Sequence, residues 1–192
     1  MKKGLILNFS PNKKGSSSLV SKQIYNSLVN NSSLDLINIY ELDIRKCDSC
    51  QDYCYKKGIC KIKRDDMELL YKHFENDDFV IIATPVYFYH IPGYAKIMID
   101  RCQPYWVRKY VLKKFFTKEK IGTLICIGAT KGEKLFSGIN LTIKYFFDIF
   151  NINFNLRHNL YLKKVEFSSE LYIYTDLINS YIKRLKDILF EN

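Results

Sequence analysis

The stretch "DFVIIATPVYF" (78–88) stays apolar from Phe79 through Ala83 before Pro85 stops it. A strand with one wet face alternates apolar and polar residues, so a strand apolar throughout must be covered on both faces, as in a parallel sheet. "KGLILNF" (3–9), "LDLINIYEL" (34–42) and "KIGTLICIGA" (120–129) read in the same way, and "INFNLRHNLYL" (152–162) alternates like a fifth, less buried strand. Helical patterns separate them at 19–31, 64–76, 93 to Pro104, 137–151 and 169–190; in the second of these Met67, Leu70, Tyr71 and Phe74 share one face behind acidic residues in the first turn. Strands alternating with helices predict an α/β fold: a doubly wound five-stranded parallel sheet in three α/β/α layers. Its chemistry belongs at the carboxyl ends of the strands, beside the point where strand order reverses.

The 192 residues suffice to bury roughly 70% of the unfolded surface as a single domain, 1–192, without help from disulfides. No linker or repeat divides the chain; its one unusual segment is a cysteine-rich loop at about 45–64. The apolar run near the amino terminus is five residues long and begins at Gly4, too short for a signal peptide, and nothing approaches the roughly 20 apolar residues of a membrane span. A cytoplasmic protein without a membrane partner is therefore expected. The net charge is +10, and the densest basic stretch, 101–120, interleaves lysines with Tyr105, Trp106, Tyr110, Phe115 and Phe116. Such a mixture suits single-stranded nucleic acid. No nucleic-acid module accompanies it, however, and an amphipathic helix with a solvated lysine face accounts for it.

Three strand-end loops carry unusual residues. In "NFSPNKKGSSSL", Ser16, Ser17 and Ser18 stand at a helix start, where free N–H groups and the helix dipole favour an anion, and Ser10 and Asn12 add polar groups on the strand side. The loop lacks both the Gly-Lys-Ser/Thr ending of a nucleotide-triphosphate loop and a G-x-G-x-x-G turn. In "ATPVYFYHIPG", the aromatics Tyr87, Phe88 and Tyr89 follow Pro85 and Val86 where a polar turn is the rule, which suits the rim of a crevice for a flat ring or packing on a neighbouring loop. The third loop, Gly128, Ala129, Thr130, Lys131 and Gly132, offers close backbone approach at its glycines.

Between residues 46 and 66 lie Cys47, Cys50, Cys54 and Cys60. In a reducing compartment clustered cysteines are metal ligands or redox thiols rather than bridges. Four thiolates can hold an iron–sulfur cluster, and zinc accepts the same set, although zinc sites usually join two separate C-x-x-C pairs; a metal-free loop is the third option. Lys46, Lys56, Lys57, Lys61, Lys63 and Arg64 surround the thiols with a field that favours thiolates. Cys102 and Cys126 sit in apolar patterns and read as small buried hydrophobes.

The order of "SPNKKGSSS", the cysteine segment running into "IKRDDM", "PVYF", "PGYAK" and "IDR" resembles the NADPH-dependent FMN reductase family, with its flavodoxin-like fold. The resemblance implies FMN, its phosphate at Ser10, Asn12, Ser16, Ser17 and Ser18, its ring against Pro85, Val86, Tyr87 and Phe88, and the loop of Gly128, Ala129, Thr130 and Gly132 at the ring's other edge. The cysteine segment is similar to that of the iron–sulfur flavoprotein branch, which implies a 4Fe-4S cluster on Cys47, Cys50, Cys54 and Cys60. The family spacing places two residues between the second and third cysteines where this chain has three. By the same resemblance the expected function is an FMN-dependent oxidoreductase moving electrons from NAD(P)H or a ferredoxin-like donor to a small-molecule acceptor, in a homodimer or homotetramer. A non-enzymatic electron carrier or redox sensor with a zinc or metal-free loop is the alternative.

Overall fold

The computed structural model describes residues 1–50 and 52–190. In chain order the regular elements are β1 (Lys2–Asn8), α1 (Ser16–Leu28), β2 (Ser32–Asn38), α2 (Tyr53–Lys57), α3 (Met67–Asn76), β3 (Phe79–Pro85), α4 (Gly93–Asp100), α5 (Gln103–Trp106), β4 (Lys120–Ile127), α6 (Ser137–Asp148), β5 (Ile152–Phe154), β6 (Leu160–Leu162) and α7 (Thr175–Phe190). All strand pairs are parallel, in the order β2-β1-β3-β4-β5 with β6 also on β4. The pleat sorts the core into two layers. Leu5, Leu7, Val80, Ile82, Leu124 and Cys126 face α3, α4 and α6, whereas Ile6, Ile81, Ala83, Ile125 and Ile127 face α1 and α7. Continuous apolar runs thus supply one residue to each layer in turn, which is why they do not alternate. Cys102 and Cys126 are buried within the first layer.

The predicted fifth strand is divided. Phe154 pairs with Gly122 and Leu160 with Ile125, so five residues of one strand pass two of the other. The surplus turns through a 3-10 helix at Leu156–His158, started by the Asn155 side chain accepting from Arg157 N at 3.0 Å. Buried Asn159 then mends the ladder, its Oδ1 accepting from Leu124 N at 2.9 Å in place of a strand carbonyl. Two helix starts also move. Arg64 takes a left-handed φ of 61°, Asp66 Oδ2 accepts from Asp43 N, and Asp65 pairs with Arg101 while also accepting from Met67 N, so α3 begins at Met67. The last helix begins as a 3-10 turn at Ser168–Tyr174, and the helix before Pro104 breaks earlier than expected, at Arg101–Cys102.

Among the described residues no helix is long and apolar enough to cross a membrane.

Candidate functional site

Strand order reverses between β1 and β3, so the crevice of this topology lies between the loops that leave Asn8 and Pro85. The first loop is built by its own side chains. Ser18 Oγ donates to the Asn12 carbonyl at 2.7 Å and accepts from Asn8 Nδ2 at 2.8 Å. Ser10 Oγ lies 3.2 Å from both Asn12 N and Asn12 O, and Asn12 Oδ1 accepts from Lys14 N at 2.9 Å. Asn38 at the end of β2 donates to the Ser10 carbonyl at 3.1 Å. Ser10, Asn12 and Ser18 therefore shape the turn. Gly15 occupies the position before α1 in extended conformation, and no side chain caps the helix there. A thirteen-residue helix thus presents its first N–H groups and its dipole at the switch point, with Ser16 half-buried and Ser17 buried beside them. A cavity of about 210 Å³ flanks the loop on its β2 side, lined by Asn8, Lys13, Ser18, Lys22 and Asn38 among others.

The second loop is a tight hairpin. Tyr87 and His90 exchange both backbone hydrogen bonds at 2.9 Å, and the two residues between them, Phe88 and Tyr89, have φ of 47° and 61°. A turn with two left-handed residues normally uses Asn and Gly; bulky aromatics there are strained. Phe88 is wholly exposed at the tip, and Tyr87 and Tyr89 are half-exposed. Neighbouring loops hold the hairpin. Tyr89 covers Gly132 so closely that a Cβ there would meet its hydroxyl at 2.5 Å, and His90 Nε2 lies 3.0 Å from Thr142 Oγ1 on α6. Gly128 is likewise pressed against Val86 and Leu135, with a Cβ reaching Leu135 at 2.9 Å. The second and third loops therefore pack together, with Ala129 and Thr130 exposed at their edge.

The cysteine segment leaves 3-10 turn Ile39–Glu41 and returns at α3. Its two arms are stitched at the neck. Asp43 N donates to Asp66 Oδ2 at 2.7 Å, Asp66 N to the Asp43 carbonyl at 2.9 Å, and Arg45 N to Asp65 Oδ2 at 3.2 Å. Tyr94 of α4 adds its hydroxyl, donating to the Leu42 carbonyl at 2.6 Å and accepting from Ile44 N. Arg101 completes the neck with an ion pair to Asp65 at 2.5 Å, both side chains fully buried. Sequence periodicity gives this arginine no special standing; its only signal was its place in "IDR".

All four thiols inside the neck are free; Cys47 is exposed, and Cys50, Cys54 and Cys60 are half-buried. Burial first, then the charges of Cys50, Cys47 and Cys60, push the Cys54 thiol up, so the four share one field. Among the described residues no three His, Cys, Asp or Glu side chains converge on a point as a single ion requires. The donor set, four thiols on one pinned loop, fits an iron–sulfur cubane in type and number, as it does a zinc ion. On the far side Arg108 Nε donates to the Gly58 carbonyl at 2.6 Å, tying α2 to the segment after α5. Gly58 has φ of 66°, and a Cβ would meet Leu112 at 2.9 Å. Gly58→Ala is expected to cost about 1–2 kcal/mol, from the left-handed backbone alone, and to speed proteolysis within the loop; thermal unfolding and limited digestion check it.

Residues 3–133 match the sequence pattern of the NADPH-dependent FMN reductases. The chain belongs to that family. An iron–sulfur flavoprotein of Archaeoglobus fulgidus is 32% identical over 138 residues, covering 70% of this chain and 59% of that protein, so the chain spans less than two thirds of this relative's length. Two solved structures show the same fold at low identity. An azoreductase from Bacillus anthracis aligns with a TM-score of 0.70 at 11% identity over 98% of both chains. An FMN-dependent NADH-azoreductase from the same species, solved with FMN, gives 0.66 at 15% over 95% of this chain and 99% of that one. As in other FMN reductases, the scaffold is flavodoxin-like, with strand order 2-1-3-4-5.

Proposed function

We propose that this FMN reductase family member is an FMN-dependent oxidoreductase that takes electrons from NAD(P)H or a ferredoxin-like donor and delivers them to a small-molecule acceptor. The observation that carries the reading is the uncapped start of α1 beside a self-built serine–asparagine loop at the β1/β3 switch point. The resemblance to the family implies a phosphate monoester at these positions, and the B. anthracis azoreductase solved with FMN supports the same ligand here. Ser10, Asn12, Ser16, Ser17 and Ser18 would hold the phosphate, Pro85, Val86, Tyr87 and Phe88 one side of the ring, and Gly128, Ala129, Thr130 and Gly132 its other edge. Bound FMN supplies the hydride and electron chemistry.

The chain's own residues orient and shield. The α1 N–H groups favour the dianion, and the Tyr87–His90 hairpin sets an aromatic rim. Cys47, Cys50, Cys54 and Cys60 would hold a 4Fe-4S cluster, the reading favoured by the iron–sulfur flavoprotein relative, and the exposed Lys46, Lys56, Lys57, Lys61, Lys63 and Arg64 offset its negative charge. Exposed Trp106, Tyr110 and Tyr145 suit contact between copies of the chain.

The test is a spectrum and metal content of protein purified without oxygen, followed by NADPH consumption with a quinone acceptor. Flavin and iron absorption with steady turnover is the expected result. Protein that neither contains nor takes up FMN overturns the reading; flavin with iron but no turnover by any donor reduces it to a carrier.

A further inference from the structure

The charge of this chain is segregated. Residues 45–64 carry seven lysines and arginines against two aspartates, and residues 107–118 carry five against none. These two segments hold the whole net charge of +10, and the rest of the chain is balanced. A lysine-rich composition alone would spread the surplus evenly. The fold sets the two segments side by side: Arg108 Nε donates to the Gly58 carbonyl at 2.6 Å, and Gly58 is pressed against Leu112. Between them lies a cleft of about 340 Å³, with Ile59, Leu112, Phe115 and Phe116 as its apolar lining and Lys57, Arg108 and Lys114 as its cations. Of the twelve cations, Arg45, Arg108, Lys109 and Lys118 are paired with carboxylates. The other eight, six on the cysteine loop together with Lys113 and Lys114, are exposed and have no ion pair among the described residues. Unpaired like charges on adjoining segments repel one another at a cost to the fold, and their summed field draws in an anionic partner.

We propose that this cleft docks an acidic protein, whose carboxylates meet the lysine rim and whose projecting apolar side chain enters against Phe115. A single-stranded nucleic acid fits less well, because it binds on successive open rings. Phe116 is stacked on buried Tyr105 with 17° between the rings and rests on Phe150. Trp106 and Tyr110 pair with each other, and the Tyr110 hydroxyl is held by Asp148 on α6. Phe115, 61% exposed, is left as the open ring at the cleft. The cleft also ends beside a thiol: Ile59 and Arg108 line the neighbouring hollow too, and Cys60 forms part of its wall. The docking stands on charge and shape alone. Its use for electron delivery rests on the oxidoreductase reading, in which one electron per encounter passes from the reduced protein to the group held by the four thiols, with no bond made or broken.

The test titrates the full chain with a small acidic ferredoxin, oxidised, as the probe. Calorimetry should show binding that weakens about 10-fold or more as salt rises from about 0.01 M to about 0.15 M, where the screening length falls from about 30 Å to about 8 Å. Lys113→Glu combined with Lys114→Glu should weaken binding about 10-fold or more at low salt and flatten the salt dependence. Phe115→Ala should weaken it while the salt dependence stays, the mark of a lost apolar anchor. Lys183→Glu combined with Lys186→Glu makes the same charge change on α7, against the other face of the sheet, and should leave binding as in the wild type. Equal loss in the two double variants means attraction by net charge alone and overturns the docking site. No binding at low salt overturns it as well, and so does an oligothymidylate that binds more tightly than the ferredoxin and is weakened by the same variants. Protein without flavin or iron defeats the oxidoreductase reading by its own test, while the titrations still decide the docking face.

Discussion

Replacing Asp65 with alanine is expected to lower the unfolding free energy by about 3–5 kcal/mol, the usual effect of leaving one partner of a buried pair unpaired. Both side chains of the Asp65–Arg101 pair are fully buried. The carboxylate also accepts from Arg45 N and Met67 N, so alanine orphans a guanidinium and two backbone donors together. For a domain whose total stability is about 5–15 kcal/mol, that is a large fraction. The pH dependence follows. Burial raises the Asp65 pKa, but the hydrogen bond and charge of Arg101 reverse this and hold it below the usual carboxylate value. A depressed folded-state pKa gives stabilisation that is present above the unfolded value, about 3.9, and is lost as pH falls through the lower folded value. Wild type should therefore lose stability below about pH 4 along a slope that Asp65→Ala lacks. Denaturant melts at neutral and acid pH measure both effects; equal stability of the two proteins at pH 7 would refute the clamp.

Ser16→Asp is expected to weaken FMN binding about 100-fold or more while leaving riboflavin binding unchanged. Ser16 opens α1, where no side chain now caps the helix. A carboxylate there satisfies the helix dipole and stabilises the fold by about 0.3–1 kcal/mol. It also takes the place proposed for the phosphate. Two like charges about 4 Å apart repel by about 4 kcal/mol at an effective dielectric of 20, and a 100-fold loss needs only about 2.7 kcal/mol. Riboflavin lacks the phosphate and feels none of this. Flavin fluorescence titrations with the two ligands separate a lost anion site from a misfolded one; equal weakening of both would place the phosphate elsewhere.

The sheet was legible because parallel strands buried on both faces leave unbroken apolar runs, and Phe79 to Ala83 could be nothing else. The fifth position was misread as one strand because the turn residues 155–159 keep an apolar and polar alternation through Leu156. What breaks the strand is the 3-10 turn at Leu156–His158, started by the Asn155 side chain and closed by Asn159 standing in for a backbone carbonyl, and no periodicity reports that. The three loops could be singled out from serines, aromatics and glycines at strand ends. The strained aromatic hairpin could not, since Phe88 and Tyr89 are poor residues for left-handed backbone and are held there by Gly132 and Thr142 from other elements. Asp65 and Asp66 read as partners of a helix dipole, yet they close the cysteine loop. That role depends on Arg101, some thirty-five positions away in sequence, which only the folded chain brings to them.

The divided fifth position has a consequence for how this scaffold tolerates growth. Its outermost rank is secured by two separate three-residue patches on β4, each with its own hydrogen bonds, bridged by residues 155–159. Extra chain inserted at that bridge would lengthen a surface excursion without shifting the inner four strands out of register. The edge away from the reversal of strand order is therefore where new segments can be added while the crevice stays as it is.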